Sequence, residues 1–177
     1  MIDRILRAIR LDWTVFREIA EDQKAMTEAM IIVAVVTFLS AVGAGIASRS
    51  FGSFIVSWLT AILIGWIGWA VLTYLVGTLL FKGKSDLSEM LRVLGYATAP
   101  NLLGFFSFIP CVGWLVALAG SILALIAGVL AIREAMEFET GNAIVTVLIS
   151  WVISFGITAI ITATIGGGAA IFSGMGG

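Results

Sequence analysis

The chain has 177 residues, 60% hydrophobic and only 12% charged, with 10 basic and 11 acidic side chains and no histidine. An ordinary soluble domain carries about 25% charged residues, and a fold of this size leaves much of its surface in solvent. The composition therefore excludes a water-soluble globule. With no histidine and a lone Cys111, imidazole catalysis and an intrachain disulfide are excluded, and metal ligands reduce to carboxylates.

The first 28 residues are charge-rich. Ile2, Ile5, Leu6, Ile9, Trp13, Phe16 and Ala20 recur at three- and four-residue spacing, with Arg4, Arg7, Arg10 and Arg17 on the flank. This pattern predicts an amphipathic helix that either lies in the membrane interface or packs on the ends of the spans. A cleaved secretory signal would place its apolar core directly after a short basic region, so residues 1–28 are expected to be a retained cytoplasmic arm.

The remaining chain, 29–177, contains four stretches without a charge: Ala29–Ser48, Ser50–Phe81, Val93–Ile132 and Thr140–Gly177. A helix needs about 20 apolar residues to cross a bilayer. The third stretch is long enough to cross twice and is broken at Pro110, Cys111, Val112 and Gly113. The expected architecture is all-α: a polytopic bundle with five transmembrane helices near 29–48, 53–81, 93–109, 112–132 and 143–171. Runs such as Ile122–Leu130 do not alternate, which argues against a β-barrel.

With a cytoplasmic N-terminus, Arg4, Arg7, Arg10, Arg17, Lys24, Lys82, Lys84, Arg92 and Arg133 lie inside and only Arg49 lies outside. The positive-inside rule therefore places the N-terminus in the cytoplasm and the C-terminus outside the cell membrane. Pro100 and Pro110 shorten the third span. A re-entrant segment there is the other reading, and it moves Arg133 outside.

No ionisable side chain falls in the core of any span, which counts against ion-coupled transport and intramembrane hydrolysis. No catalytic residue, metal ligand or cofactor is expected. Small and hydroxylated residues carry the positive signal. Ser150, Ser154, Thr158 and Thr162 follow at four-residue spacing in the last span, and Gly120, Ala124 and Gly128 do so in the fourth. Such stripes permit close backbone approach and hydroxyl bonding between helices, within the chain or between copies. Trp66 and Trp69 lie near the middle of the second span, where an indole N–H needs a partner. They pack against a hydroxyl-bearing helix or line a pocket.

The segment Arg92-Val-Leu-Gly-Tyr-Ala-Thr-Ala-Pro-Asn101 resembles the Yip domain family, the Ypt/Rab-interacting membrane proteins. Their Gly-Tyr pair and following proline correspond to Gly95, Tyr96 and Pro100. The flanks Phe16–Ala20 and Leu130–Ala135 are similar too. The long polar N-terminal region and the Asp-Leu-Tyr-Gly-Pro motif of eukaryotic members are absent, so the chain looks like a stand-alone prokaryotic version. The resemblance implies a non-enzymatic protein that organises membrane or partner proteins. Small-GTPase binding follows only by that analogy, and nucleic acid is not expected as a partner. The lipid bilayer, a second copy or other membrane proteins are. The alternative is a channel or carrier for a neutral or lipidic solute. Gly95, Tyr96, Pro100 and Asn101 are expected to form a bent junction, with Ser85 capping the helix before it and the Tyr96 carbonyl left without a donor by Pro100.

Overall fold

The computed structural model describes residues 1–48, 51–108 and 113–174, with side chains described except at 43–48, 53, 104, 106–108 and 158–174. Among the described residues the protein is all-helical. Arg49, Pro110, Cys111, and the side chains of Thr158 and Thr162 lie outside this set.

The arm divides into two helices, α1 (Ile2–Ile9) and α2 (Trp13–Glu21). Leu11 adopts a left-handed φ of 61°, and Asp12 caps α2 by accepting from the Thr14 amide at 3.0 Å and its hydroxyl at 2.6 Å. The predicted apolar stripe is accordingly split. Phe16 and Ala20, with Val15 and Ile19, are buried, whereas Ile2, Leu6 and Trp13 stay exposed. The arm thus packs on the bundle through Ala8, Val15, Phe16, Ile19 and Ala20.

Among the described residues, four helical stretches are long and apolar enough to cross a membrane: Ala25–Val42, Phe54–Phe81, Gly113–Ala135 and Thr140–Ile157. They belong to α3 (Ala25–Ser48), to a continuous run of α4 (Phe51–Thr60), a π-helical segment (Ala61–Gly68) and α5 (Trp69–Phe81), and to α7 (Gly113–Ala135) and α8 (Thr140–Gly174). Large apolar side chains such as Leu79, Leu80, Ile122, Val152 and Phe155 point outward, as expected where lipid replaces water as solvent.

The expected span at 93–109 is not one α-helix. It is shared between α6 (Leu87–Ala97) and a 3-10 segment (Ala99–Phe108). Pro100 has no amide for the Tyr96 carbonyl, and the chain tightens there, with the Asn101 amide bonding the Thr98 carbonyl at 2.9 Å. Helix α6 starts on a capping box: Asp86 accepts from the Glu89 amide at 2.7 Å, and Glu89 accepts from the Asp86 amide at 3.1 Å. The cap is thus Asp86 and not Ser85, whose hydroxyl instead bonds Glu89 at 3.0 Å.

Among the described side chains, a buried core lies where the arm meets the bundle. There Val15, Phe16 and Ile19 of α2 meet Ala29 of α3, Val93 and Leu94 of α6, and Ala131 and Ile132 of α7. Ion pairs Arg17–Glu134 at 3.3 Å and Lys84–Glu137 at 3.4 Å gather the arm and both interhelical loops at this same junction.

Candidate functional site

Helices α1, α2 and α6 form a polar cap over that junction. Arg4 is its hub, 2.8 Å from both Glu18 and Asp22 and 3.6 Å from Glu28. Arg7 bonds Asp12 at 2.9 Å and Glu18 at 3.0 Å. Hydrogen bonds from Arg4 and then Arg7 hold the Glu18 carboxyl below its ordinary range, and Arg4 does the same for Asp22.

Arg92 fastens α2 to α6 within the cap. Its side chain is buried, with Nη2 2.5 Å from the Ala20 carbonyl and Nε 3.3 Å from that of Ile19. Those carbonyls close α2 and have no helical donor, so a cation there satisfies them and complements the helix dipole. Ser88 orients the guanidinium at 2.9 Å.

The segment singled out in the sequence lies directly beneath. Gly95 is a crossing point rather than a kink: a Cβ there would sit 2.7 Å from the Ala29 Cβ of α3. Tyr96 is fully buried, and its hydroxyl donates to Glu28, so the phenol is spent inside the protein and not presented to headgroups. The Thr98 amide bonds the Gly95 carbonyl at 3.3 Å. Pro100 is buried against α7, its carbonyl 2.9 Å from where a Gly120 Cβ would stand. Asn101 is half-buried and faces two cavities.

The two small-residue stripes are placed unevenly. Thr146 and Ser150 are fully buried, and Ser154 lines a groove with Ile64 and Leu72. Gly120 touches the 3-10 segment, whereas Ala124 and Gly128 border a cavity, and a Cβ on Gly128 would meet nothing within 4 Å. Trp66 finds its partner in the Leu91 carbonyl of α6 at 3.2 Å, not in a hydroxyl-bearing helix. Trp69 lines the cavity beside Asn101. The structure brings Trp69, Asn101, Ala124 and Gly128 together around one cavity and Trp66 with Asn101 around a second, and leaves Tyr96, Ser150 and Ser154 apart from both.

Sequence reasoning missed the roles of Arg4, Glu28 and Arg92. Arg92 alone had a legible signal, being a cation inside an otherwise apolar stretch of α6. The described residues contain no group of three potential metal ligands.

The Yip1 domain model matches residues 14–161, which covers α2 through the described side chains of α8 and includes Arg92, Gly95, Tyr96 and Pro100. The chain belongs to the Yip1 domain family. It is a membrane protein by its apolar helices and by that membership, and the Yip1 family is not in general a family of enzymes. No curated protein and no solved structure matched the chain.

Proposed function

We propose that this Yip1-family protein is a non-enzymatic organiser of the cell membrane, using the cap of α1, α2 and α6 as its platform for partner proteins. The observation that carries this reading is the cap itself. It is held together through Arg92 and tied to α7 through Arg17 and Glu134, yet it keeps Ile2, Leu6 and Trp13 exposed beside a charged network. A fixed amphipathic ledge at the membrane surface suits recognition rather than chemistry. Partners include other membrane proteins or a second copy; a small GTPase enters only through kinship with the family.

We further propose that the chain crosses the membrane five times, with the cap in the cytoplasm and the C-terminus outside. Residues 93–108 extend about 28 Å at 1.5 Å per α-helical and 2.0 Å per 3-10 residue, close to the roughly 30 Å hydrocarbon core. They leave the cap at Arg92, and α7 returns to it at Glu134, which supports a full crossing over a re-entrant loop.

Two measurements test these readings. With Cys111 replaced, a cysteine at position 173 is expected to react with an impermeant reagent from outside intact cells, and one at position 85 is not. Reaction at 85 would reverse the topology. For the platform, Leu6→Asp with Trp13→Ser is expected to abolish capture of partners from native membranes while the fold persists. Unchanged capture would remove the cap from the function. The carrier reading has one observation in its favour, the uncharged cavities beside Asn101; flux of a neutral solute into reconstituted vesicles would support it.

A further inference from the structure

Two cavities in the bundle share a wall. One, about 340 Å³, lies among α5, α7 and α8, with Trp69, Leu125, Gly128 and Val147 on its sides. The other, about 330 Å³, lies among α3, the π-helical segment and α7, with Thr37, Ser40, Gly65 and Trp66. Asn101 and Ser121 line both. Every described residue lining either cavity is uncharged.

The hydroxyls here are already committed. Ser121 donates to the Ala117 carbonyl at 3.0 Å, Ser40 to that of Val36 at 3.0 Å, and Thr37 to that of Val33 at 2.6 Å. Asn101 is different: its carboxamide makes no hydrogen bond to any described residue. It brings two N–H donors and an oxygen with two lone pairs, and such groups are costly to leave unmet in a bilayer. Space has also been kept open on both sides of it. A Cβ added to Gly128 in the first cavity, or to Gly65 in the second, would meet nothing within 4 Å. These glycines are therefore not explained by close helix contact. Gly65 and Trp66 belong to the π-helical segment, an irregularity that often marks functional sites.

We propose that Asn101 is the polar contact of a binding site for an uncharged, hydroxyl-bearing two-chain lipid of diacylglycerol type, with one acyl chain entering each cavity. The amide oxygen accepts the lipid hydroxyl, and the amide N–H donates to an ester carbonyl. The lack of any lining cation disfavours a phosphate headgroup. Water is the poorer occupant, because a buried water needs two to four polar partners and the cavities are flanked by Val33, Val36, Leu125, Ile132 and Val147. Each cavity is at the small end of the 300–1,000 Å³ range of ligand pockets, so each takes part of a chain and the rest runs out into the bilayer. The site is independent of how the cytoplasmic cap is used.

The test uses the full chain reconstituted in phosphatidylcholine vesicles with a trace of diacylglycerol carrying a photoreactive diazirine on one acyl chain. Adducts are mapped by peptide mass spectrometry. Labelling is expected at cavity-lining residues of α3, α5 and α7, displaced by unlabelled diacylglycerol and not by its O-methyl ether. Asn101→Leu should lower that labelling at least fivefold. Gly128→Leu should remove adducts from the first cavity and Gly65→Leu from the second, each with Asn101 untouched, so a misfolded Asn101 variant does not spoil the test. The proposal is overturned if the ether competes equally, if adducts fall only on outward residues such as Leu118, or if neither glycine variant changes the pattern.

Discussion

The Tyr96 hydroxyl donates to the Glu28 carboxylate, joining the last turn of α6 to the first turn of α3 directly under the polar cap. A hydrogen bond to a charged group contributes about 1.5–3 kcal/mol, and Glu28 retains Arg4 at 3.6 Å. Tyr96→Phe is therefore expected to destabilise the detergent-solubilised protein by about 1–2 kcal/mol. In a double-mutant cycle with Glu28→Ala the two losses should fall well short of adding. Full additivity would show that the two groups do not interact.

Arg92 supplies a sharper test of the cap. Its removal strands the carbonyls of Ile19 and Ala20 inside the protein. Arg92→Met keeps the apolar stem and should cost about 2–3 kcal/mol, with the arm becoming the first site of proteolysis. Lysine lacks the planar fork that reaches two carbonyls and Ser88 together, so Arg92→Lys should fall between the two. An arm that stays protease-resistant in Arg92→Met would mean that α2 is held by apolar packing alone.

The places of the four long apolar helices were legible in the sequence because charge is nearly absent from them, and charge exclusion from lipid leaves a plain one-dimensional trace; the fifth expected span, at 93–109, is instead divided between α6 and a 3-10 segment. The cap left a fainter trace. Its break at Leu11 depends on a left-handed leucine that no propensity favours, and so a single helix was the natural reading of residues 1–20. Gly95 was legible as special and not as a crossing point, since the sequence carries no record of Ala29 standing opposite. The π-helical segment was invisible too: Ala61–Gly68 is uniformly apolar, and nothing in such a run distinguishes one helical hydrogen-bond register from another. Asn101 was marked out by polarity alone, and the cavities on either side of it emerged from the packing of α3, α5, α7 and α8.

The Gly95 crossing predicts a specific rescue. Gly95→Ala places a Cβ 2.7 Å from that of Ala29, closer than methyl groups tolerate, so α3 and α6 must separate. Overpacking of this kind costs about 1–3 kcal/mol. Ala29→Gly on the Gly95→Ala background removes the opposing methyl and should restore most of the lost thermal stability. Failure of the rescue would locate the strain elsewhere in α6.

Acid should loosen the arm. Arg4 and Arg7 hold Glu18 below its ordinary 4.5, Arg4 holds Asp22 below 3.8, and Thr14 with Arg7 holds Asp12 below 3.8. Lowered carboxylates stabilise the folded arm in full above these ordinary values and lose that contribution as pH falls through the lowered ones. A spin label at the exposed position 6 should keep constant mobility from neutral pH down to about pH 5 and gain mobility only in more acidic solution. Arg4→Gln should shift the transition to higher pH. Mobility changing near neutrality would exclude these carboxylates as the cause.

The last prediction concerns two hydroxyls in the seam between α5 and α8. Thr73 and Ser150 are fully buried, and neither side-chain oxygen has a hydrogen-bond partner among the described residues. Because the hydroxyl gains nothing there, removing it should cost little: Ser150→Ala and Thr73→Val are expected to leave thermal stability unchanged or raise it slightly, since an unmet polar group is itself a burden. Size is a different matter. Ser150→Leu adds two heavy atoms net to a site with no exposed surface and should destabilise by about 1–3 kcal/mol, whereas Ile153→Leu, on the outward face, should be neutral. Thermal melts of the variants check this: if Ser150→Ala were as damaging as Ser150→Leu, the hydroxyl would be contributing to stability and the unmet-group reading would fail.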